Sequence, residues 1–251
     1  MFSRILTLVI TVVLGFFTIN AQTLDEIIEK TLKSRGDVSQ AENLKSMVLV
    51  GSQTMSGMSV QFTYKMKDDK MYFFETDAMG QKQTIGVDND TAWQNTGGVT
   101  QLIPKEYNEQ VIVQVKQFEN FVRGPFLKKE KKDRFEYSGV VTEDERESYT
   151  IKLIQEDDER ESYLYIDKNN FELFKLWAQT TDQEGNPMDI ELRLKDYKDV
   201  SGFKYPHTIE MVMGDYGTQV ITFEKIEANV PLDDSIFKAP KTEEAPKTEQ
   251  K

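Results

Sequence analysis

The chain has 251 residues, no cysteine, one histidine, and 43 acidic against 31 basic side chains, for a formal net charge of −12. The missing thiols exclude disulfides, thiolate metal sites, a cysteine nucleophile and an acylated N-terminal cysteine. The acidic balance disfavours nucleic acid and anionic membrane surfaces as partners, and the length suffices for one all-β domain or two small ones.

The chain opens MFSRILTLVITVVLGFFTINAQ, with Arg4 ahead of an apolar run from Ile5 to Phe17 and small or neutral residues as far as Ala21. That run is shorter than the roughly 20 residues a spanning helix needs. Residues 1–21 therefore read as a signal peptide cleaved after about Ala21, with an uncleaved anchor as the alternative. No other stretch is apolar enough to span a bilayer, so no stable membrane insertion is expected of the mature chain; a monomer is also expected.

Thr23 to Arg35 predicts a helix: Leu24, Ile27, Ile28 and Leu32 share one face, Thr23 with Glu26 makes a capping box, and Gly36 can end it. From Met47 the period changes to two. Val60, Phe62, Tyr64 and Met66 alternate with polar residues as a half-buried strand, and Asp68-Asp69 turns the chain into Met71 to Glu75. Gln81 to Val87, Thr91 to Asn95 and Val99 to Ile103 extend the meander, separated by Asp88-Asn89-Asp90 and Gly97-Gly98.

Lys105 to Phe126, KEYNEQVIVQVKQFENFVRGPF, breaks the strand pattern. Val111, Val115, Phe118 and Val122 recur at helical spacing, Ile112 and Phe121 widen the stripe, and polar residues fill the other side. This predicts a one-sided helix packed on the concave side of a sheet. The basic passage Lys128 to Arg134 follows, either an anionic docking patch or a solvated loop.

Strands then resume at Tyr149 to Leu153, Tyr163 to Ile166, Leu173 to Gln179, Met188 to Lys195, Phe203 to Met213 and Thr218 to Glu224. Ten or eleven antiparallel strands in one sheet must curl, so the fold class is mostly β (α+β): an open half-barrel with helices on its concave face. Residues 22–240 are expected to form this single domain, and 241–251, without apolar residues, a disordered tail.

His207 has no nucleophile or metal motif around it, so a structural role outweighs a catalytic one. The carboxylates of Thr142 to Glu147 and Glu156 to Glu161 suit solvation better than acid–base work, and Asp88-Asn89-Asp90 lacks the glycine and distal glutamate of a calcium loop. An enzyme is thus the weakest class, with no cofactor or metal implied. A binding surface remains. The candidate lining is Val60, Phe62, Tyr64, Met66, Met71, Phe73 and Trp93 from the first half. Val111, Val115, Phe118 and Val122 come from the helix; Ile151, Leu153, Tyr163, Tyr165, Trp177, Met188, Ile190, Leu192, Met211 and Met213 come from the second half. Methionine and aromatic side chains suit a pocket for chains of varied shape; the same pattern also describes an ordinary filled core.

Three segments carry a resemblance: GVDNDTAWQNT at 86–96, YIDKNNFELFKLWAQTTDQEGNPMDIEL at 165–192 and NVPLDDSIFKAP at 229–240. Together with the order helix, meander, helix, meander, they resemble the LolA/LolB family of periplasmic lipoprotein carriers; DYKDVSGFKYPHTIE at 196–210 resembles divergent members. The resemblance implies an unclosed barrel with a helical lid over an apolar cavity. It also implies acyl chains passed in the periplasm from an inner-membrane exporter to an outer-membrane acceptor. The cavity-facing arginine of many carriers would fall near Tyr64 to Glu75, where this chain has only Lys65, Lys67 and Lys70. Two other functions stay open: an envelope binding or sensor module with a filled core, and an envelope enzyme.

Overall fold

The computed structural model describes residues 22–127, 133–143, 145–155, 158–182 and 184–240. The expected signal peptide, the C-terminal tail and most of the basic passage lie outside the described residues.

Helix α1 (Leu24–Ser34) starts with the expected capping box: Glu26 N donates to Thr23 Oγ1 at 3.3 Å and Thr23 N to the Glu26 carboxylate at 3.1 Å. Such a cap stabilises a helix by about 1 kcal/mol. A five-residue helix α2 (Val38–Glu42), capped by Asp37, follows; its brevity hid it from a periodicity argument. The first meander is β1 (Ser46–Met55), β2 (Met58–Lys67), β3 (Met71–Ala78), β4 (Gln81–Asp88), β5 (Thr91–Thr96) and β6 (Val99–Leu102). After helix α3 (Asn108–Arg123) the second meander runs β7 (Asp133–Glu143), β8 (Arg146–Gln155), β9 (Asp158–Asp167), β10 (Leu173–Thr181), β11 (Pro187–Val200), β12 (Phe203–Val212) and β13 (Thr218–Ala228).

All thirteen described strands form one antiparallel sheet in the order β6-β5-β4-β3-β2-β1-β13-β12-β11-β10-β9-β8-β7. The sheet stays open, with β6 and β7 at its edges. Two or three strands beyond the expected ten or eleven are present; β7 in particular is hidden in the sequence by a bulge at Gly139 and by the charges that precede it. The topology explains the central helix. Because β6 and β7 sit at opposite edges, the chain must cross the sheet between them, and α3 makes that crossing with its apolar side against one face.

Cross-strand partners share a face, so the register tells which side chains look toward α3. Phe62, Tyr64 and Met66 do, and through the pairings Tyr64↔Phe74 and Met66↔Tyr72 so do Tyr72 and Phe74. Phe118 of α3 sits on this surface, its ring centre 5.1 Å from Phe62 and 4.7 Å from Phe74, while Phe62 meets Phe223 edge-on at 5.8 Å. Each such pair adds about 1 kcal/mol beyond simple burial. The outer face of β2–β5 is covered by the C-terminal stretch. Trp93 Nε1 donates to Phe237 O at 2.7 Å, Lys67 Nζ to Leu232 O at 3.0 Å, and Phe237 is fully buried. Gly86 makes room for this contact, since a Cβ there would fall 2.1 Å from the Trp93 ring.

Candidate ligand chamber

The two ends of α3 are held differently. The last turn of any helix leaves carbonyls without partners. Here Arg35, which follows α1, supplies them: Nη1 donates to Arg123 O at 2.5 Å and Nη2 to Val122 O at 2.7 Å, while Nε donates to Lys204 O at 2.9 Å. Its guanidinium lies 4.4 Å from the centre of the Phe203 ring, and burial holds its pKa below the ordinary arginine value. A positive charge at this helix end also complements the macrodipole. One turn back, the fully buried Glu119 pairs with Arg123, whose Nη2 donates to Ala41 O at 3.1 Å. The N-terminal end lacks such fixation. Tyr107 provides no side-chain cap, Asn108 Nδ2 donates to Asp90 O at 2.5 Å, and Val113 is 59% exposed.

Beneath the middle of α3 lies a chamber of about 280 Å³, partly open to solvent. Its apolar floor consists of Phe74 of β3, Ile85 of β4, Met211 of β12 and Ile221 of β13; Val115, Phe118 and Phe121 form the roof. Gln53, Thr76, Gln114, Gln117 and Gln219 complete the lining, and Gln219 Nε2 donates to Gln53 Oε1 at 2.9 Å. This volume is close to the lower limit of about 300 Å³ for small-molecule sites. It can sequester part of one hydrocarbon chain and has no charged side chain among its described lining residues.

Of the sequence candidates, Val115, Phe118 and Met211 line this chamber. Val60, Phe62, Tyr64 and Met66 share the inner face beside it, with Phe62, Tyr64 and Met66 buried in the aromatic core. Val111 and Val122 lie on α3, the latter fully buried. In the second half, Ile151 and Leu153 face inward across from Leu164 and Ser162, and Met188, Ile190 and Leu192 face inward opposite Thr180, Ala178 and Leu176. Met213 lies just past β12 in the turn to β13, where its N–H bonds Gly217 O, and is not on the paired inner face.

Six candidates are on the wrong side of the sheet for a chamber under α3. Phe73 pairs with Lys65 and Met71 with Lys67, placing both on the outer face; the ammonium of Lys65 lies 5.3 Å from the Phe73 ring centre. Trp93 pairs outward across from Gly86 beneath the C-terminal stretch. Tyr163 pairs with Trp177 and Tyr165 with Lys175, again on the outer face. In each case neighbouring positions of both parities are apolar, as in MYFF and SYLYI, so alternation alone leaves two registers and only pairing decides.

That outer face has its own buried cation. Lys175, 2% exposed, pairs with Glu143, lies 3.8 Å from Glu191 and sits 4.2 Å from the centre of the Tyr165 ring. Two other carboxylates considered for chemistry are in ion pairs. Glu161 binds Lys152 at 2.9 Å, which with the accompanying charge holds its pKa below the usual carboxylate value, and Glu147 lies 3.4 Å from Lys168. His207 is buried with Nδ1 3.0 Å from Tyr205 O. None of these groups lines the chamber among its described residues. Sequence reasoning missed Arg35, Glu119 and Arg123 as the helix anchor, and Phe74, Ile85, Ile221 and the glutamines as lining. A buried Glu–Arg pair at i, i+4 was the one signal available.

No family model matches the chain. No curated protein matches its sequence either. Solved structures do resemble it. A LolA superfamily protein from Nitrosomonas europaea superposes with a TM-score of 0.54 at 14% identity, covering 87% of this chain and 98% of that one. A DUF1329 family protein from Desulfovibrio piger gives 0.51 at 12% identity over 87% and 98%. A Vibrio parahaemolyticus domain described as an outer membrane lipoprotein-sorting protein gives 0.50 at 12% identity, over 84% and 95%. An open antiparallel sheet with a crossing helix on one face is therefore, in this chain, the LolA-like fold.

Proposed function

We propose that the protein is a periplasmic, non-enzymatic carrier that shelters acyl chains of lipoproteins between α3 and the inner face of its sheet. The observation that carries this reading is the partly open chamber under a helix held by Arg35 at its C-terminal end and, at its N-terminal end, by the lighter tie of Asn108 to Asp90 O. A lid of that kind can rise at its N-terminal end to admit or release a guest while Arg35 keeps its C-terminal end in place. The lipoprotein-sorting description of a structural neighbour supports the choice of cargo. Its delivery route would then run from an inner-membrane exporter to an outer-membrane acceptor.

The energetics suit handover. Burying about eight methylenes at roughly 0.8 kcal/mol each yields about 6 kcal/mol before the costs of ordering, a grip that a receptor can overcome. The test is to express the complete chain, purify it from the envelope fraction, and identify extracted lipid by mass spectrometry. Acylated lipid or lipopeptide in stoichiometric amount is expected. Lipid-free protein that also fails to bind an added acyl probe would contradict carriage.

A second reading has one observation in its favour. The rings of Phe62, Phe74, Phe118 and Phe223 fill much of the space beneath the helix, which suits an envelope docking module with a packed core. Lipid-free protein is the outcome that favours it.

A further inference from the structure

We propose that a second binding site lies on the outer face of the sheet, turned away from α3, and that its ligand is a neutral pyranose sugar; the proposal stands apart from the carrier reading. A hollow of about 380 Å³ opens there between β7, β8 and β9, lined by Ser138, Val141, Glu143, Thr150, Tyr163 and Tyr165. The strand register puts it on that face. Thr150 lies between Gly139 and Tyr165 across the sheet, and Tyr163 lies across from Trp177.

The polar atoms of the hollow suit hydroxyl groups. Thr150 is 5% exposed, and its Oγ1 has no hydrogen-bond partner among the described residues. A buried hydroxyl in that state costs free energy in the empty protein, which a ligand sharing a hydrogen bond with it recovers. Glu143 adds carboxylate acceptors to the same lining, with its side chain 37% exposed. An ionic ligand gains little from these groups, because their charges are already matched. Lys175, 2% exposed, pairs with Glu143, and Glu191, 3.8 Å from Lys175, pairs with Arg193.

The rings are held in place before a ligand arrives. The Tyr163 hydroxyl donates to Glu161 Oε2 at 3.3 Å, Lys152 Nζ donates to Glu161 Oε1 at 2.9 Å, and the Lys175 ammonium lies 4.2 Å from the centre of the Tyr165 ring. Trp177, its ring centre 5.8 Å from that of Tyr163, prolongs the aromatic strip, and all three rings stay partly exposed. Rings fixed in this way lose little freedom when a ligand settles on them. A pyranose has apolar C–H faces that lie against aromatic rings and a rim of hydroxyls, each both donor and acceptor. One sugar ring can therefore meet Tyr163 and Tyr165 with its face and Thr150 and Glu143 with its edge. A hydrocarbon chain in the same place would cover Thr150 and Glu143 without offering a hydrogen bond.

The chain has two tryptophans, and Trp93 is buried beneath the C-terminal stretch, so a change in Trp177 emission reports on this hollow. Cellobiose, maltose and N,N′-diacetylchitobiose are titrated into the purified full chain, followed by that emission and by calorimetry. At least one disaccharide is expected to bind with millimolar affinity. Thr150→Val keeps the shape of the side chain and removes its hydroxyl; it is expected to weaken that sugar about fivefold without lowering the urea midpoint, since the hydroxyl has no protein partner to lose. Tyr163→Leu, at a partly exposed position, is expected to weaken the sugar about tenfold through loss of the ring face. Neither change is expected to alter the affinity of a monoacyl probe for the chamber under α3. Failure of all three sugars to bind, or binding that both variants leave unchanged, would overturn the proposal, and either result leaves the carrier reading standing.

Discussion

Arg35 Nη1 donates to Arg123 O at 2.5 Å, tying the residue that ends the first helix to the last turn of the helix that crosses the sheet. This bond and its neighbour to Val122 O fix the C-terminal end of α3. Arg35→Met keeps the apolar stem over Phe203 and removes all three donated bonds. Hydrogen bonds from charged donors contribute about 1.5–3 kcal/mol each, offset in part by relief of burying the cation, so a net loss of about 3 kcal/mol is expected in urea unfolding. Hydrogen exchange should rise along the C-terminal turn of α3.

The buried pair one turn away behaves differently. Arg123→Met removes the ion-pair partner of the fully buried Glu119, and is expected to cost about 3–5 kcal/mol. Adding Glu119→Leu removes the buried carboxylate together with its partner and should recover part of that loss. A double-mutant cycle in denaturant checks the coupling; additive losses would mean that the two side chains act independently.

Stability should fall in alkali. Burial raises the pKa of Tyr64, Tyr72 and Tyr205, all near fully buried on the inner face. In the unfolded chain tyrosine ionises near pH 10, so above that pH the folded state retains more protons and its stability declines as pH rises. Three such groups give a slope of up to about 4 kcal/mol per pH unit between the unfolded and folded values. Urea midpoints at neutral and alkaline pH measure the slope, and Tyr64→Phe should remove about a third of it. The same substitution should not lower stability at neutral pH, because the Tyr64 hydroxyl is buried without a protein partner.

On the outer face, Trp93→Phe deletes the donor to Phe237 O and leaves a buried carbonyl unsatisfied. A cost of about 1–3 kcal/mol is expected, with hydrogen exchange increased through 230–237 and ligand affinity unchanged. Affinity that drops would place Trp93 in the binding path after all.

The elements most legible in the sequence were those whose pattern admits one answer. The capping box at Thr23 and Glu26 marked α1, and the stripe from Val111 to Val122 marked α3 as a one-sided helix. Phe62, Tyr64 and Met66 alternate with lysine and threonine, so their face was unambiguous. Where both parities are apolar, as at Met71 to Phe74 and Tyr163 to Ile166, the face follows from a pairing that no local pattern encodes. The chamber was less legible still, since Gln53 and Gln219 are 166 residues apart in sequence and meet only because β13 returns beside β1. Between Tyr64 and Glu75 the only basic residues are Lys65, Lys67 and Lys70. A buried arginine does hold α3, from the end of α1.

The account's central claim is that a hydrocarbon guest occupies the space between α3 and β3, and Thr76→Trp fills that space from the sheet side with a bulky ring. Titration of a fluorescent monoacyl probe into the unaltered protein and this variant, with circular dichroism confirming the same strand content, tests it most directly. The account predicts at least about a tenfold loss of affinity in the variant. Equal affinity in the two proteins would contradict it.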